Sequence, residues 1–154
     1  MGTVERVRTV LDVGQRDFCF VDVLDCTELP PKQRVDDPGG AILLTVNGVA
    51  LLDEDLYSTI ELLWIFVAQL IGDYRRDGRA VTSFPDQSID ISLEPVPRNL
   101  LRITVAGKDF RRTSVAGEEE LLSAIVTGGL EFFEKMTELS GRNFSTAIKR
   151  LTGT

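Results

Sequence analysis

Residues 41–78 read AILLTVNGVALLDEDLYSTIELLWIFVAQLIGDYRRDG, and the change of period inside this stretch decides the fold. Ala41 to Val46 and Val49 to Leu52 are apolar runs, and Asn47-Gly48 between them supplies the two positive φ angles of a type I′ turn. A tight hairpin is expected there. From about Glu54 to Asp77 the period becomes helical, with Leu56, Ile60, Leu63, Val67, Leu70 and Tyr74 recurring every three or four residues. Asp53 or Asp55 is placed to cap the start of this helix, and Gly78 stands where a left-handed stop is wanted. Leu62, Trp64, Ile65 and Phe66 widen the apolar stripe until the middle turns are apolar nearly all round, which calls for burial on more than one side.

Outward from this stretch the strand period returns on both sides. Before it, Val7, Thr9, Leu11 and Val13 alternate with charged neighbours, and a second extended run covers Phe18 to Leu24. Glu28 to Gly40 gathers three prolines and two glycines among charged side chains and reads as a loop. After it come strand patterns at Arg79 to Phe84, Ser88 to Glu94, Asn99 to Ala106 and Asp109 to Val115, with Gly107-Lys108 as a two-residue turn pairing Val105 with Phe110 and Thr104 with Arg111. A second long helix is expected from about Glu118 to Leu139, ended by Gly141, and a short one from Phe144 to Leu151. Gly128-Gly129 in the middle of the second helix costs about 1 kcal/mol per residue relative to Ala, so a kink or a close backbone approach should account for it. The expectation is one α+β domain over residues 1–154, with a largely antiparallel sheet of about 7–8 strands, two long helices packed on one face and a short C-terminal helix.

Composition bounds the chemistry. The 154 residues carry 17 Lys plus Arg against 24 Asp plus Glu, a net charge of −7, and no His. Affinity for nucleic acid comes mainly from Lys and Arg displacing counterions, so no nucleic-acid partner is expected. Without His, most hydrolase triads and His-containing metal sites are excluded. No phosphate-binding loop, calcium loop or SxxK frame occurs, and no cofactor, metal or catalytic residue is expected. Cys19 and Cys26 show no metal spacing and read as reduced thiols of small core residues. The longest apolar run, Leu62 to Ile71, falls short of the ~20 residues a bilayer requires, and no leader pattern opens the chain, so a cytoplasmic, non-membrane protein is expected.

Charge is unevenly spread, with residues 51–78 at net −4 and residues 79–115 at net +2. Asp53, Glu54 and Asp55 open one expected helix and Glu118, Glu119 and Glu120 the other, where acidic side chains meet the positive end of the helix dipole. The same groups can form a patch that steers a basic partner. Asp36, Asp37, Asp53, Glu54 and Asp55, all near turns or a helix start, are the candidate partner-binding residues. Arg102, Arg111 and Arg112, with Lys108, make a local basic spot that could take an anion.

The segment from about Asp55 to Leu139 resembles the small acidic bacterial immunity proteins encoded beside polymorphic toxins. Leu56-Tyr57-Ser58 through Leu62-Leu63-Trp64, then Phe84-Pro85-Asp86, Ile89-Asp90-Ile91 and Glu120-Leu121-Leu122 carry the resemblance. It implies a cytosolic, non-enzymatic protein that binds a cognate toxin domain and occludes its active site. A toxin nuclease is commonly basic, so an acidic inhibitor gains in on-rate. Two other readings stand beside it. One is a small-molecule, anion-binding or enzymatic domain with a pocket between sheet and helices; the other is a structural homodimer subunit using the apolar excess of the first helix.

Overall fold

The computed structural model describes residues 3–14, 16–30 and 38–154. Among these the chain is α+β, with nine strands and three α-helices. The strands form two antiparallel sheets rather than one. The first contains β1 (Arg8–Asp12), β2 (Phe20–Asp22), β3 (Gly39–Val46), β4 (Val49–Leu52) and the two-residue β5 (Ser58–Thr59), in the order β2-β1-β3-β4 with β5 also on β3. The second contains β6 (Ala80–Ser83), β7 (Asp90–Val96), β8 (Leu100–Ala106) and β9 (Arg111–Gly117) in sequential order. Helices α1 (Ile60–Asp77) and α2 (Glu118–Ser140) are long, and α3 (Ser145–Thr152) is short.

The Asn-Gly hairpin forms as expected, with φ of 54° at Asn47 and 76° at Gly48 joining β3 to β4. Asn47 also ties three parts of the chain together: its Oδ1 accepts from Thr3 N at 2.7 Å and its Nδ2 donates to Val115 O at 2.5 Å. Beside it, β4 runs along β9, yet side chains make the join between the sheets. Ser114 Oγ donates to Val46 O at 3.0 Å, and Arg112 Nη1 to Ala50 O at 3.3 Å. The single expected sheet is therefore split at this seam.

Three boundaries differ from the sequence expectation. Helix α1 begins at Ile60, not near Glu54, because Ser58 and Thr59 pair with Gly40 and Gly39 of β3 and hold the chain extended. Asp53 and Asp55 therefore do not cap it; Thr59 occupies the cap position without a side-chain bond, while Gly78 does end the helix with φ of 76°. The second extended run contracts to Phe20–Asp22, because Asp22 Oδ1 accepts from Leu24 N at 2.9 Å and closes a 3-10 turn over Val23–Asp25. The β8–β9 register places Val105 opposite Arg112 and Thr104 opposite Thr113, two residues beyond the expected pairing. Gly107 N donates to Phe110 O at 3.0 Å, so the loop spans four residues, and the Phe110 ring lies where a Cβ on residue 107 would stand, 2.4 Å away.

Both helices cover the same inward side of the strands. Ile91 faces Val105 and Leu93 faces Ile103, and all four are buried, while Trp64 and Val67 of α1 and Ile125 of α2 meet this side at the centre. Trp64 is fully buried, stacked against Phe132 at 6.0 Å, and its Nε1 donates to the buried Thr9 Oγ1 at 2.9 Å. A buried indole N–H left without a partner would cost about 1–3 kcal/mol, and Thr9 removes that cost. Helix α2 is continuous through Gly128-Gly129, and close approach of neighbouring side chains accounts for the pair. A Cβ on residue 128 would lie 2.7 Å from Val7, and one on residue 129 would lie 2.6 Å from Leu151 and 2.9 Å from the Trp64 ring.

Candidate functional site

Asp53, Glu54 and Asp55 form an exposed turn between β4 and β5. Asp53 Oδ1 accepts from Asp55 N at 3.0 Å, and Leu56 N donates to Asp53 O at 3.0 Å, so the first carboxylate shapes the turn. Its other oxygen, Oδ2, accepts from Arg112 Nη1 at 3.0 Å. Asp53 is thereby a structural residue as much as a surface one. Glu54 and Asp55 point to solvent. Because α1 starts at Ile60, a turn and a half later, the helix dipole, which fades within the first turn, offers their charges nothing. Asp36 and Asp37 lie outside the described residues.

Directly after this turn, Tyr57 joins an aromatic cluster that sequence reasoning did not single out. Phe18 and Phe20 stack with ring centroids 5.8 Å apart and planes within 2°, and Tyr57 stands edge-on to them at 5.2 and 6.2 Å. The signal was present as two phenylalanines two residues apart, which extended backbone projects to one side. Gly39 makes room for the third ring: a Cβ there would fall 1.7 Å from the Tyr57 hydroxyl. Phe18 is 63% exposed, the largest such value among the described large apolar side chains. Loop 85–88 adjoins the cluster, since Gln87 Nε2 donates to Tyr57 O and Ser58 Oγ to Asp86 Oδ1 at 2.7 Å. Asp17 next to Phe18, Glu54 and Asp55 just before Tyr57, and Asp86, bonded to Ser58, are all exposed, and Arg16 adds an opposite charge beside Asp17.

The expected basic spot assembles only in part, since the register puts Arg102 and Arg111 on one face of the sheet and Arg112 on the other. Arg111 and Arg112 oppose Ala106 and Val105, so their side chains leave opposite faces of the sheet. Arg112 is held by Asp53, and Arg102 Nη1 lies 3.1 Å from Glu94 Oε1. At the second acidic cluster, Glu118 to Glu120 do open α2, but Glu118 is occupied: Tyr74 Oη donates to its Oε1 at 2.5 Å. Burial, reinforced by this carboxylate, pushes the Tyr74 phenol up to about 12. Cys26 is buried as expected, and burial pushes its thiol up, whereas Cys19 is exposed between Phe18 and Phe20.

Where sheets and helices meet, the central gap lined by Leu44, Trp64, Val67, Ile91, Ile103 and Ile125 has a volume of only about 10 Å³. That is the room of a single water, against the 300–1,000 Å³ of ordinary ligand pockets. No group of three or more potential metal-ligating side chains occurs among the described residues, and no described helix is long and apolar enough to cross a membrane. On the outer face of α1, Leu62 is exposed and Phe66 half-buried. Comparison with known protein families, curated proteins and solved structures finds no match for this chain.

Proposed function

We propose that this chain is a non-enzymatic, cytoplasmic binding protein of the immunity type, which neutralises a basic protein toxin by seating the Phe18, Phe20 and Tyr57 cluster and the Glu54-Asp55 turn over the toxin's active-site surface. The observation that carries this reading is the placement of that turn: outside α1, with Glu54 and Asp55 exposed, and continuous with an aromatic cluster in which Phe18 is exposed and Phe20 and Tyr57 are half-buried. Aromatic anchors supply most of the energy at protein interfaces, commonly about 2 kcal/mol or more each, while rim charges set on-rate and orientation. Glu54, Asp55, Asp17 and Asp86 provide such a rim, in a chain of net charge −7. The close-packed centre, with about 10 Å³ of space, counts against a substrate pocket between sheet and helices.

Co-expression with the basic product of the adjacent gene tests the reading. The two should co-purify, and the chain should abolish the toxicity of that product. E54K/D55K should restore toxicity while leaving the melting temperature of the free chain unchanged, because both side chains are exposed. A toxin equally lethal with and without the chain removes the proposal.

A further inference from the structure

Strand β6 closes the second sheet on its free side, and among the described residues nothing pairs with its outer edge. The ladder on its inner side fixes which backbone groups that edge presents. Phe84 N donates to Ile89 O at 2.8 Å and Ser83 stands opposite Asp90, so Ala80, Thr82 and Phe84 turn their N–H and C=O groups to β7. Arg79, Val81 and Ser83 turn theirs away from the sheet. The side chains of Val81 and Ser83 lie on the face of Ser92 and Asp90, away from the helices, and Val81 is 62% exposed.

Edge strands are ordinarily blunted by a charge, a proline, a bulge or a cover, because an open row of N–H and C=O groups is a template for another strand. The first sheet follows that rule: its edge strand β2 stops after three residues at the 3-10 turn over Val23–Asp25. Strand β6, Ala80-Val81-Thr82-Ser83, carries no charge and no proline, and its pairing with β7 runs without a bulge. Its two ends are of opposite sign. Arg79 precedes it, and at its far end Ser83 Oγ donates to the exposed Asp90 Oδ1 at 2.7 Å. Arg79 has only a loose partner of its own, Glu94 at 4.0 Å, with 73% of its side chain exposed.

We propose that a second copy of this chain occupies the edge, β6 against β6 in antiparallel order about a two-fold axis at Val81. The backbone sets this register. With Val81 opposite its own copy, Arg79 falls opposite Ser83, and the three outward-facing residues exchange about six hydrogen bonds. A step one way puts Arg79 opposite Pro85, which has no N–H, and a step the other way puts Ser83 opposite Asp77 inside α1. In the Val81 register the two exposed valines cover each other. Each Arg79 then stands in one row with Ser83 and Asp90 of the second copy, its backbone about 10 Å from that of Asp90, within reach of a guanidinium. Antiparallel order thus sets the positive end of each edge against the negative end of the other, while the adjoining turn of α1, with Asp73, Arg75, Arg76 and Asp77, is neutral in sum. Loop 85–88, which adjoins the aromatic cluster, follows the C-terminal end of β6, so the two clusters lie at opposite ends of the junction.

Sedimentation velocity on the full chain, from about 1 to 500 µM, tests the interface. The mass should rise from one copy, 17.1 kDa, toward two, with a dissociation constant of about 10–100 µM, the range of a short edge contact opposed by a net charge of −7 on each copy. Val81→Lys, at an exposed position that leaves the monomer folded, should weaken association about tenfold or more by setting two cations at the axis. Arg79→Asp should weaken it too, and Arg79→Asp combined with Asp90→Arg should recover it. A mass fixed at one copy over the whole range, a dimer that Val81→Lys leaves intact, or a charge swap no better than Arg79→Asp alone would each overturn the assignment. Sedimentation is read on the chain without a toxin, so failure of toxin neutralisation leaves this result standing and the two proposals fail separately.

Discussion

Arg112 Nη1 lies 3.0 Å from Asp53 Oδ2, joining edge strand β9 of one sheet to the end of β4 in the other. This pair replaces part of the backbone ladder that would otherwise make the two sheets one. The Arg112 guanidinium also rests over the Phe110 ring at 5.2 Å and donates to Ala50 O, so three interactions converge on one side chain at the seam.

Asp53→Ala should therefore destabilise the fold more than a surface carboxylate normally does, by about 1–2 kcal/mol, since it removes the bond to Asp55 N as well as the ion pair. Arg112→Ala should cost about 1 kcal/mol. The coupling energy in a double-mutant cycle, read by urea denaturation, should stay below about 1 kcal/mol, because side-chain exposures of 25% and 34% leave the pair screened by water.

Gly128→Ala and Gly129→Ala reverse the usual helix ranking. Propensity alone would stabilise each by about 1 kcal/mol. The Val7 side chain at 2.7 Å and the Trp64 ring at 2.9 Å cannot both give way inside a packed core, so each substitution should instead destabilise by about 1–3 kcal/mol. Thermal denaturation of the two single variants checks the sign.

How far the fold could be read from the sequence follows from which forces are local. The Asn47-Gly48 hairpin, Gly78 and Gly141 as helix stops, and the apolar stripe of α1 depend on residues close together in the chain, and all stand where the pattern put them. The start of α1 was not legible, because pairing of Ser58 and Thr59 with β3 overrides a helical pattern that runs on through Leu56. The division into two sheets rests on side chains 59 to 68 residues apart, Arg112 with Asp53 and Ser114 with Val46. No local pattern encodes that. Of the candidate site, the turn at Asp53 to Asp55 was legible as charge, but Tyr57 reaches Phe18 only through tertiary packing over Gly39.

Tyr74 makes stability depend on pH at the alkaline end. Its phenol ionises at about 10 in the unfolded chain and at about 12 in the fold, where it is buried and donates to Glu118. A raised folded pKa means the contribution is complete below pH 10 and is lost as pH rises from about 10 to 12, by at most about 3 kcal/mol. Tyr74→Phe should flatten that part of the stability profile. Urea midpoints measured between about pH 9 and 11.5 compare the two slopes.

Arg142 offsets a carboxylate that α1 carries inward: Glu61 has only 10% side-chain exposure and accepts from Arg142 Nη1. Arg142→Ala should cost about 1–3 kcal/mol by leaving that charge without its partner, and Glu61→Gln in the same background should recover part of the loss. Chemical denaturation of the two variants decides this.

The most direct test of the central proposal is the dissociation constant of the complex with the basic product of the adjacent gene, measured by calorimetry for the native chain and for Phe18→Ala combined with Glu54→Lys and Asp55→Lys. An affinity loss of about a hundredfold or more is expected, with the free chain still folded and its melting temperature lowered only by the loss of the Phe18 contacts to Phe20 and Tyr57, because Phe18, Glu54 and Asp55 are exposed. Equal affinity for the two forms would contradict it.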